Sequence, residues 1–231
     1  MPASKRTSAA GPVRRVLVID VGGAHVKLRI DAHGKIQKFD SGPRMGPTYM
    51  VREIRRLVPD TAYDVVSMGY PGPVLRGRIA AEPHNLGGRW VGFDFARAFG
   101  KPIRIVNDAA MQAIGSYRGG RMLFLGLGTG LGVAFISDGE VEATELGHLP
   151  YKRGRSYEDY VGEAGRERRG NKKWRKSVFD VSADLQAAFE ADYVVLGGGN
   201  AVRMKKLPHG ARLGDNNNAF TGGLRLWRRG G

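Results

Sequence analysis

The sequence predicts an α/β protein of two like lobes facing each other across a central cleft. Three observations carry this. A strand, a glycine turn and a second strand follow one another after Val16, and the same succession restarts at Leu123. Between them the apolar run Ile103-Arg104-Ile105-Val106 ends in Asn107-Asp108, just ahead of a helical pattern. The glycines sit mostly at the ends of apolar runs, where turns belong.

Each element has its own signal. Arg15 to Asp20 holds the run Val16-Leu17-Val18-Ile19 and reads as a buried strand. Strands at 25–31 and 35–39 follow, with Val26, Leu28 and Ile30 alternating as on a half-buried strand. Met50, Ile54, Leu57 and Val58 recur at helical spacing. Residues 64–68 form a strand that stops at the breaker cluster Gly69-Tyr70-Pro71-Gly72-Pro73. A short helix is expected over 93–99, a strand over 103–106 and a helix over 109–117. Strands at 122–127 and 131–136 flank the second glycine turn, and Asp138-Gly139 signals a hairpin. Residues 157–190 read as helical with a break near Gly170, and Tyr193 to Leu196 as a strand entering Gly197-Gly198-Gly199. Residues 213–227 close the chain as a helix. The resulting division is a disordered tail over 1–12, an N-terminal lobe over 13–108 against which the closing helix packs back, and a C-terminal lobe over 109–212.

The chain has 231 residues, enough to bury a sizeable core. No apolar stretch approaches the roughly 20 residues that span a bilayer, so no membrane partner is expected. The first residues lack the apolar segment of a secretory signal. Cysteine is absent, which excludes disulfides and thiolate metal sites and fits a cytoplasmic protein. The 37 Lys and Arg against 22 Asp and Glu give a net charge of +15, which favours polyanionic partners, although a solvated basic surface has the same composition.

The chemistry lies at the turns. In Asp20-Val21-Gly22-Gly23-Ala24-His25-Val26-Lys27, Gly22 and Gly23 lack Cβ atoms, so backbone N–H groups can approach a phosphate closely. Asp20 at the strand end can hold Mg²⁺ directly or through water, and Lys27 adds positive charge, although an alternating strand can also turn it away. In Leu127-Gly128-Thr129-Gly130-Leu131-Gly132, Thr129 offers a hydroxyl, while Gly128 and Gly130 leave the backbone accessible. The spacing matches neither the dinucleotide fingerprint nor the P-loop. Each turn alone is also a plain hairpin turn; two of them, each after a buried strand, point to phosphoryl binding. Asp108 lies at a strand end, where ligands of open α/β sheets gather, and can accept a hydroxyl proton as a phosphoryl group arrives. A helix N-cap explains Asn107-Asp108 equally well on local grounds. Glu145-Leu146-Gly147-His148 offers two groups suited to vicinal hydroxyls; without cysteine partners they make a weak zinc site. The run from Arg166 to Lys176 has seven basic residues among eleven. It suits a long polyphosphate chain, a solvated helix face, or nucleic acid with Trp174 stacking on a base.

Together these residues resemble the ROK sugar kinases of the actin-like ATPase superfamily, and within it the polyphosphate glucokinases. Asp20 to Lys27 is similar to the family's first phosphate motif, Asn107-Asp108-Ala109 to its base segment and Leu127 to Gly132 to its second phosphate motif. Glu145 to His148 is similar to its sugar motif, Pro83-His84-Asn85-Leu86 with Trp90 to its sugar segment, and Gly197-Gly198-Gly199 to its donor-side turn. The likeness spans about Val13 to Trp227. It implies a ribonuclease H-like, actin-like ATPase fold and phosphorylation of a hexose 6-hydroxyl, with glucose as the expected sugar and Asp108 as the base. Asn85, Asn107, Glu145, His148 and Glu158 would bind the sugar. Asp20, Gly22, Gly23, Lys27, Gly128, Thr129, Gly130 and Gly198 would bind phosphate from polyphosphate or ATP, with Mg²⁺ near Asp20. A homodimer is implied by the same analogy. Ala24 stands where the family has Thr, which removes one hydroxyl from the first phosphate turn. Alternatives are a sugar-binding or regulatory protein impaired in catalysis, and a polyanion-binding protein; the kinase motifs argue against nucleic acid. The cysteine-rich zinc motif of many family members is absent, as in the polyphosphate enzymes, and no helix-turn-helix segment is expected before the first strand, which speaks against a repressor role.

Overall fold

The computed structural model describes residues 14–215 and 217–228; the tail expected over 1–12 lies outside the described residues. Strands β1 (Val16–Val21), β2 (His25–Ile30) and β3 (Gln37–Asp40) form an antiparallel meander. Helix α1 (Pro47–Leu57) follows, then β4 (Val65–Tyr70), the small hairpin β5 (Val74–Leu75) and β6 (Arg78–Ile79), helix α2 (Phe95–Phe99) and β7 (Ile103–Asn107). Helix α3 (Asp108–Ser116) leads to β8 (Met122–Leu127), β9 (Leu131–Ser137) and β10 (Glu140–Thr144). A second hairpin, β11 (Pro150–Lys152) and β12 (Arg155–Ser156), precedes α4 (Glu158–Val161) and α5 (Glu163–Ala188). Strands β13 (Tyr193–Gly197) and β14 (Ala211–Leu213) and helix α6 (Asn218–Arg225) complete the fold.

The two large sheets have one topology. The first runs β3-β2-β1-β4-β7 and the second β10-β9-β8-β13-β14. In each, three antiparallel strands are followed by two parallel ones. The sequence repeat is therefore a repeat of sheet order, and the two glycine turns, β1 to β2 and β8 to β9, are equivalent corners. Buried on both faces, β1 and β4 read as continuous apolar runs.

Helix α3 lies between the sheets. Ala109, Ala110 and Ala113 pack on Phe124, Ala134 and Val195 of the second sheet, and Met111 packs with Val16, Val18 and Phe220 on the first. Helix α6 crosses α3 at backbone contact. A Cβ on Gly115 would run into the Asn218 carbonyl oxygen, and one on Gly222 into that of Met111. Helix α1 covers the opposite face of the first sheet through Met50, Val51 and Ile54, and α5 covers the second through Trp174, Val178 and Val181.

Two helices start later than their periodicity suggests. Asp94 accepts from Arg97 N–H at 2.9 Å, so the segment expected from 93 is helical only from Phe95. The closing helix expected from 213 begins at Asn218, because Leu213 pairs with Leu196 in the sheet and Asp215 turns the chain by accepting from Asn217 N–H at 2.6 Å. The break near Gly170 is present: its φ of 75° interrupts α5.

Candidate active site

The end of β4, the start of β9 and the N-terminus of α3 meet where the sheets face each other. Gly69 at the end of β4 and Gly132 at the start of β9 bring this about. A Cβ on Gly69 would lie 3.4 Å from Asp108 Cα, and one on Gly132 would lie 2.9 Å from Ala109 Cβ. The first turn of α3 is thus held between a strand end of each sheet.

Asn107 is the N-cap. Its Oδ1 accepts from Ala110 N–H at 3.1 Å, and its Nδ2 donates to Gly72 O at 3.1 Å, fixing the loop after β4. The capping role left open by the sequence therefore falls to Asn107, and Asp108 takes the first helical position, within reach of the Asp20 and Glu145 charges. Asp108 Oδ1 accepts from Ala109 N–H at 2.8 Å. Burial, then the nearby Asp20 charge, and more weakly Glu145, push its carboxyl up to about 7 against the Ala109 hydrogen bond. A carboxyl near neutrality is suited to accepting a proton at physiological pH.

At the first turn Gly22 N–H donates to His25 O at 3.0 Å, Ser41 N–H to Ala24 O at 3.0 Å and Ser41 Oγ to Gly22 O at 2.6 Å. Gly23 lies against Asn85, with 3.5 Å between a Cβ placed there and the Asn85 Cβ. Lys27 Nζ stands 4.0 Å from Asp20 Oδ2, across the pair of strands, and so turns toward the acid. Burial raises the Asp20 carboxyl and Lys27 partly offsets it. Among the described residues no three His, Cys, Asp or Glu side chains form a metal cage. One enclosed carboxylate with a second acid nearby fits Mg²⁺, which takes one or two carboxylates and otherwise water and phosphate oxygens.

In the second turn Gly128 N–H donates to Gly130 O at 3.1 Å. Gly198, with φ of 80°, sits directly on it: a Cβ there would overlap the Leu127 backbone. Glu158 Oε2 accepts from Leu131 N–H at 3.0 Å, and its carboxylate lies over Gly130. Glu158, for which the resemblance implied a sugar contact, thus lies against the second glycine turn. Glu145 precedes a single 3₁₀ turn and His148 ends it, Oε2 and Nε2 being 3.4 Å apart with half of each side chain exposed. The His84 ring meets His148 edge-on with centroids 5.9 Å apart. This contact joins the Asn85 segment of the first half to the Glu145–His148 segment of the second.

Two functional candidates were missed from sequence: Asn200 and Glu163. Asn200 is only 6% exposed, its Nδ2 donating to Gly128 O at 3.3 Å and Glu163 Oε2 at 2.6 Å. Hydrogen bonds from Arg166 and Asn200 hold the Glu163 carboxyl down at about 2. The only sequence signal was a polar residue directly after Gly197-Gly198-Gly199.

The basic run divides by role. Arg166 pairs with Glu163, Arg169 donates to Ser177 Oγ at 2.7 Å, Arg175 to Arg203 O at 2.8 Å and Lys176 to Asp180 at 3.1 Å. Lys172 and Lys173 are exposed. Trp174 cannot stack on a base: it is fully buried and donates to Val161 O at 2.8 Å. Helical spacing in that run turns the indole inward and the charges outward. Trp90 is likewise a core residue, its ring 5.4 Å from that of Tyr70.

Comparison with curated proteins gives no significant match. Solved structures share the fold. The inorganic polyphosphate/ATP-glucomannokinase of Arthrobacter sp. strain KM superposes with a TM-score of 0.77 at 22% identity, over 92% of this chain and 97% of that one. The ROK family glucokinase of Streptomyces griseus, solved with glucose and AMPPNP, gives 0.72 at 17% identity, over 94% and 100%. A ROK family transcriptional regulator, a homologue of the E. coli MLC protein, gives 0.67 at 14% identity, over 92% and 77%. The fold is therefore that of the actin-like ATPases. Residues 16–167, which hold both glycine turns, Asp108 and the Glu145–His148 turn, match the ROK family, and the chain belongs to that family.

Proposed function

We propose that the protein is a sugar kinase that phosphorylates the 6-hydroxyl of a hexose, glucose foremost, from inorganic polyphosphate or ATP. The observation that carries this reading is Asp108, a carboxyl at about 7 held at a helix N-terminus between the two sheets. In its ionised form it accepts the hydroxyl proton while the oxygen attacks phosphorus. Asn85, Glu145 and His148 hold the sugar, and Asn107 shapes the wall beside it. Gly22 and Gly23 on one side, with Gly128, Thr129, Gly130 and Gly198 on the other, hold the transferring phosphoryl group. Asp20 holds Mg²⁺, with Lys27 balancing its charge; the ion neutralises phosphate charge when bound. The lobes, 13–108 with the closing helix and 109–212, close over the substrates and exclude water as a competing acceptor.

Polyphosphate is favoured as donor by the exposed Lys172 and Lys173 and by Lys205 and Lys206, which follow the Gly198 turn by way of Arg203. The Arthrobacter relative uses both donors by its name, and the Streptomyces one was solved with glucose and an ATP analogue. A coupled glucose 6-phosphate assay with polyphosphate and ATP side by side is the test. Transfer is expected with at least one donor, and its loss in Asp108→Asn with glucose binding retained. Glucose binding without transfer from either donor would favour a second reading, a sugar-binding regulator. Ala24 supports that reading, because the first turn lacks the hydroxyl its family position carries.

A further inference from the structure

The turn after β8 has two chemically different sides. Its carbonyl oxygens are all engaged: Leu127 O by Asn200 N–H at 2.9 Å, Gly128 O by Glu163 N–H at 3.1 Å, Thr129 O by the same N–H at 3.1 Å and Gly130 O by Gly128 N–H at 3.1 Å. Asn200 Nδ2 adds a second bond to Gly128 O at 3.3 Å. Among the described residues the N–H groups of Thr129 and Gly130 donate to nothing. A planar trans peptide points its N–H opposite to its C=O. Drawing Gly128 O and Thr129 O toward Asn200 and Glu163 therefore turns the next two N–H groups to the other side, as a pair of anion donors.

Asn200 is held for this task. Its Oδ1 accepts from Arg203 Nε at 3.0 Å, and its Nδ2 donates to Glu163 Oε2 at 2.6 Å. Arg166 Nε holds the same Glu163 oxygen at 3.0 Å. A carboxylate in that place fixes the amide orientation, since it accepts and cannot donate. Every bond of the assembly is made between protein groups, and donors fixed in that way are what stabilise developing charge most effectively.

We propose that Asn200, oriented by Glu163 and Arg203, is a positioning residue for the phosphoryl donor, fixing the 128–130 turn so that the Thr129 and Gly130 N–H groups face the phosphate being transferred. This rests on the kinase reading above. The role predicts a split between substrates. In Asn200→Ala the donor KM rises at least about tenfold and kcat falls, while the sugar KM stays within about twofold. Asn200→Asp keeps the shape but loses both amide donors and sets a carboxylate against Glu163, so it gives the same split and serves if the alanine variant does not fold. A purely structural residue would lower the melting temperature and leave both KM values unchanged; that outcome, or an equal rise in both, overturns the proposal. Titration of tripolyphosphate into wild type and Asn200→Asp separates this from the kinase reading. Binding by wild type that weakens about tenfold or more in the variant supports the role of Asn200 even in a chain that transfers nothing. Equal binding by both, or none by wild type, overturns it.

Discussion

Replacing Asp108 with asparagine should stabilise the protein, and do so only above the acid range. The side chain is an acid whose ordinary value of 3.8 is lifted to about 7 by burial and by the Asp20 and Glu145 charges. At about 1.4 kcal/mol for each pH unit, the folded state disfavours the ionised form by about 4 kcal/mol. The side chain is half-buried rather than sealed, so solvent screening brings the expectation to about 2–4 kcal/mol. The sign follows from proton uptake. Below about pH 4 the carboxyl is protonated in both states and carries no penalty. Between about 4 and 7 the unfolded chain gives up this proton while the folded chain keeps it, so stability falls as pH rises, and above about 7 the full penalty is present. The amide of the Asp108→Asn variant never ionises, yet can still accept the Ala109 N–H bond. Urea unfolding of both proteins across this range is the assay. The variant should gain about 2–4 kcal/mol over wild type on going from about pH 4 to about pH 8. A difference that does not change with pH would refute the reasoning, because it would mean that Asp108 ionises as freely in the fold as in the unfolded chain.

Ala24 is exposed at the tip of its turn, so Ala24→Thr should fold normally and restore a phosphate-facing hydroxyl. A contact worth about 1–2 kcal/mol in the transition state would raise kcat/KM roughly 5- to 30-fold, which steady-state kinetics with either donor would show. Trp174→Phe leaves Val161 O without its 2.8 Å donor inside the core and should cost about 1–3 kcal/mol in urea unfolding. Gly222→Ala drives a methyl into the Met111 carbonyl and should cost about 3 kcal/mol or more, read as a lowered melting temperature.

Strands and turns were legible where the signal is local. The run Val16 to Ile19 and the alternation after His25 needed only side-chain period, and Asp138-Gly139 fits its hairpin because both residues adopt positive φ, 53° and 86°. Asp108 was legible because a strand end, a cap and a helix start coincide in five residues. Helix starts were misplaced where a cap or a side-chain turn decides them: Asp94 caps α2 and Asp215 turns the chain ahead of Asn217, each through one backbone N–H, which periodicity does not register. Asn200 and Glu163 were invisible because their work is done on a turn more than 30 residues distant along the chain. Glu158 was expected at the sugar by analogy, and its bond to Leu131 N–H depends on how α4 folds back over β9. The stacking alternative for Trp174 stayed open in the sequence because the surrounding charge run masks the inward face that α5 continues through Val178 and Val181.

Helix α6 belongs, by packing, to the beginning of the chain. Ala219 and Phe220 cover Val16, Val18 and Val65, Gly223 O accepts from Ser67 Oγ at 2.6 Å, and Trp227 Nε1 donates to the same hydroxyl at 2.9 Å. Until α6 docks, Val16, Val18 and Val65 keep that surface bare. A nascent or clipped chain lacking α6 would present a sticky apolar strip to its neighbours, the kind of surface that chaperones shield. The N-terminal sheet is thus completed only by a contact distant in sequence, and does not bury its own apolar face by itself.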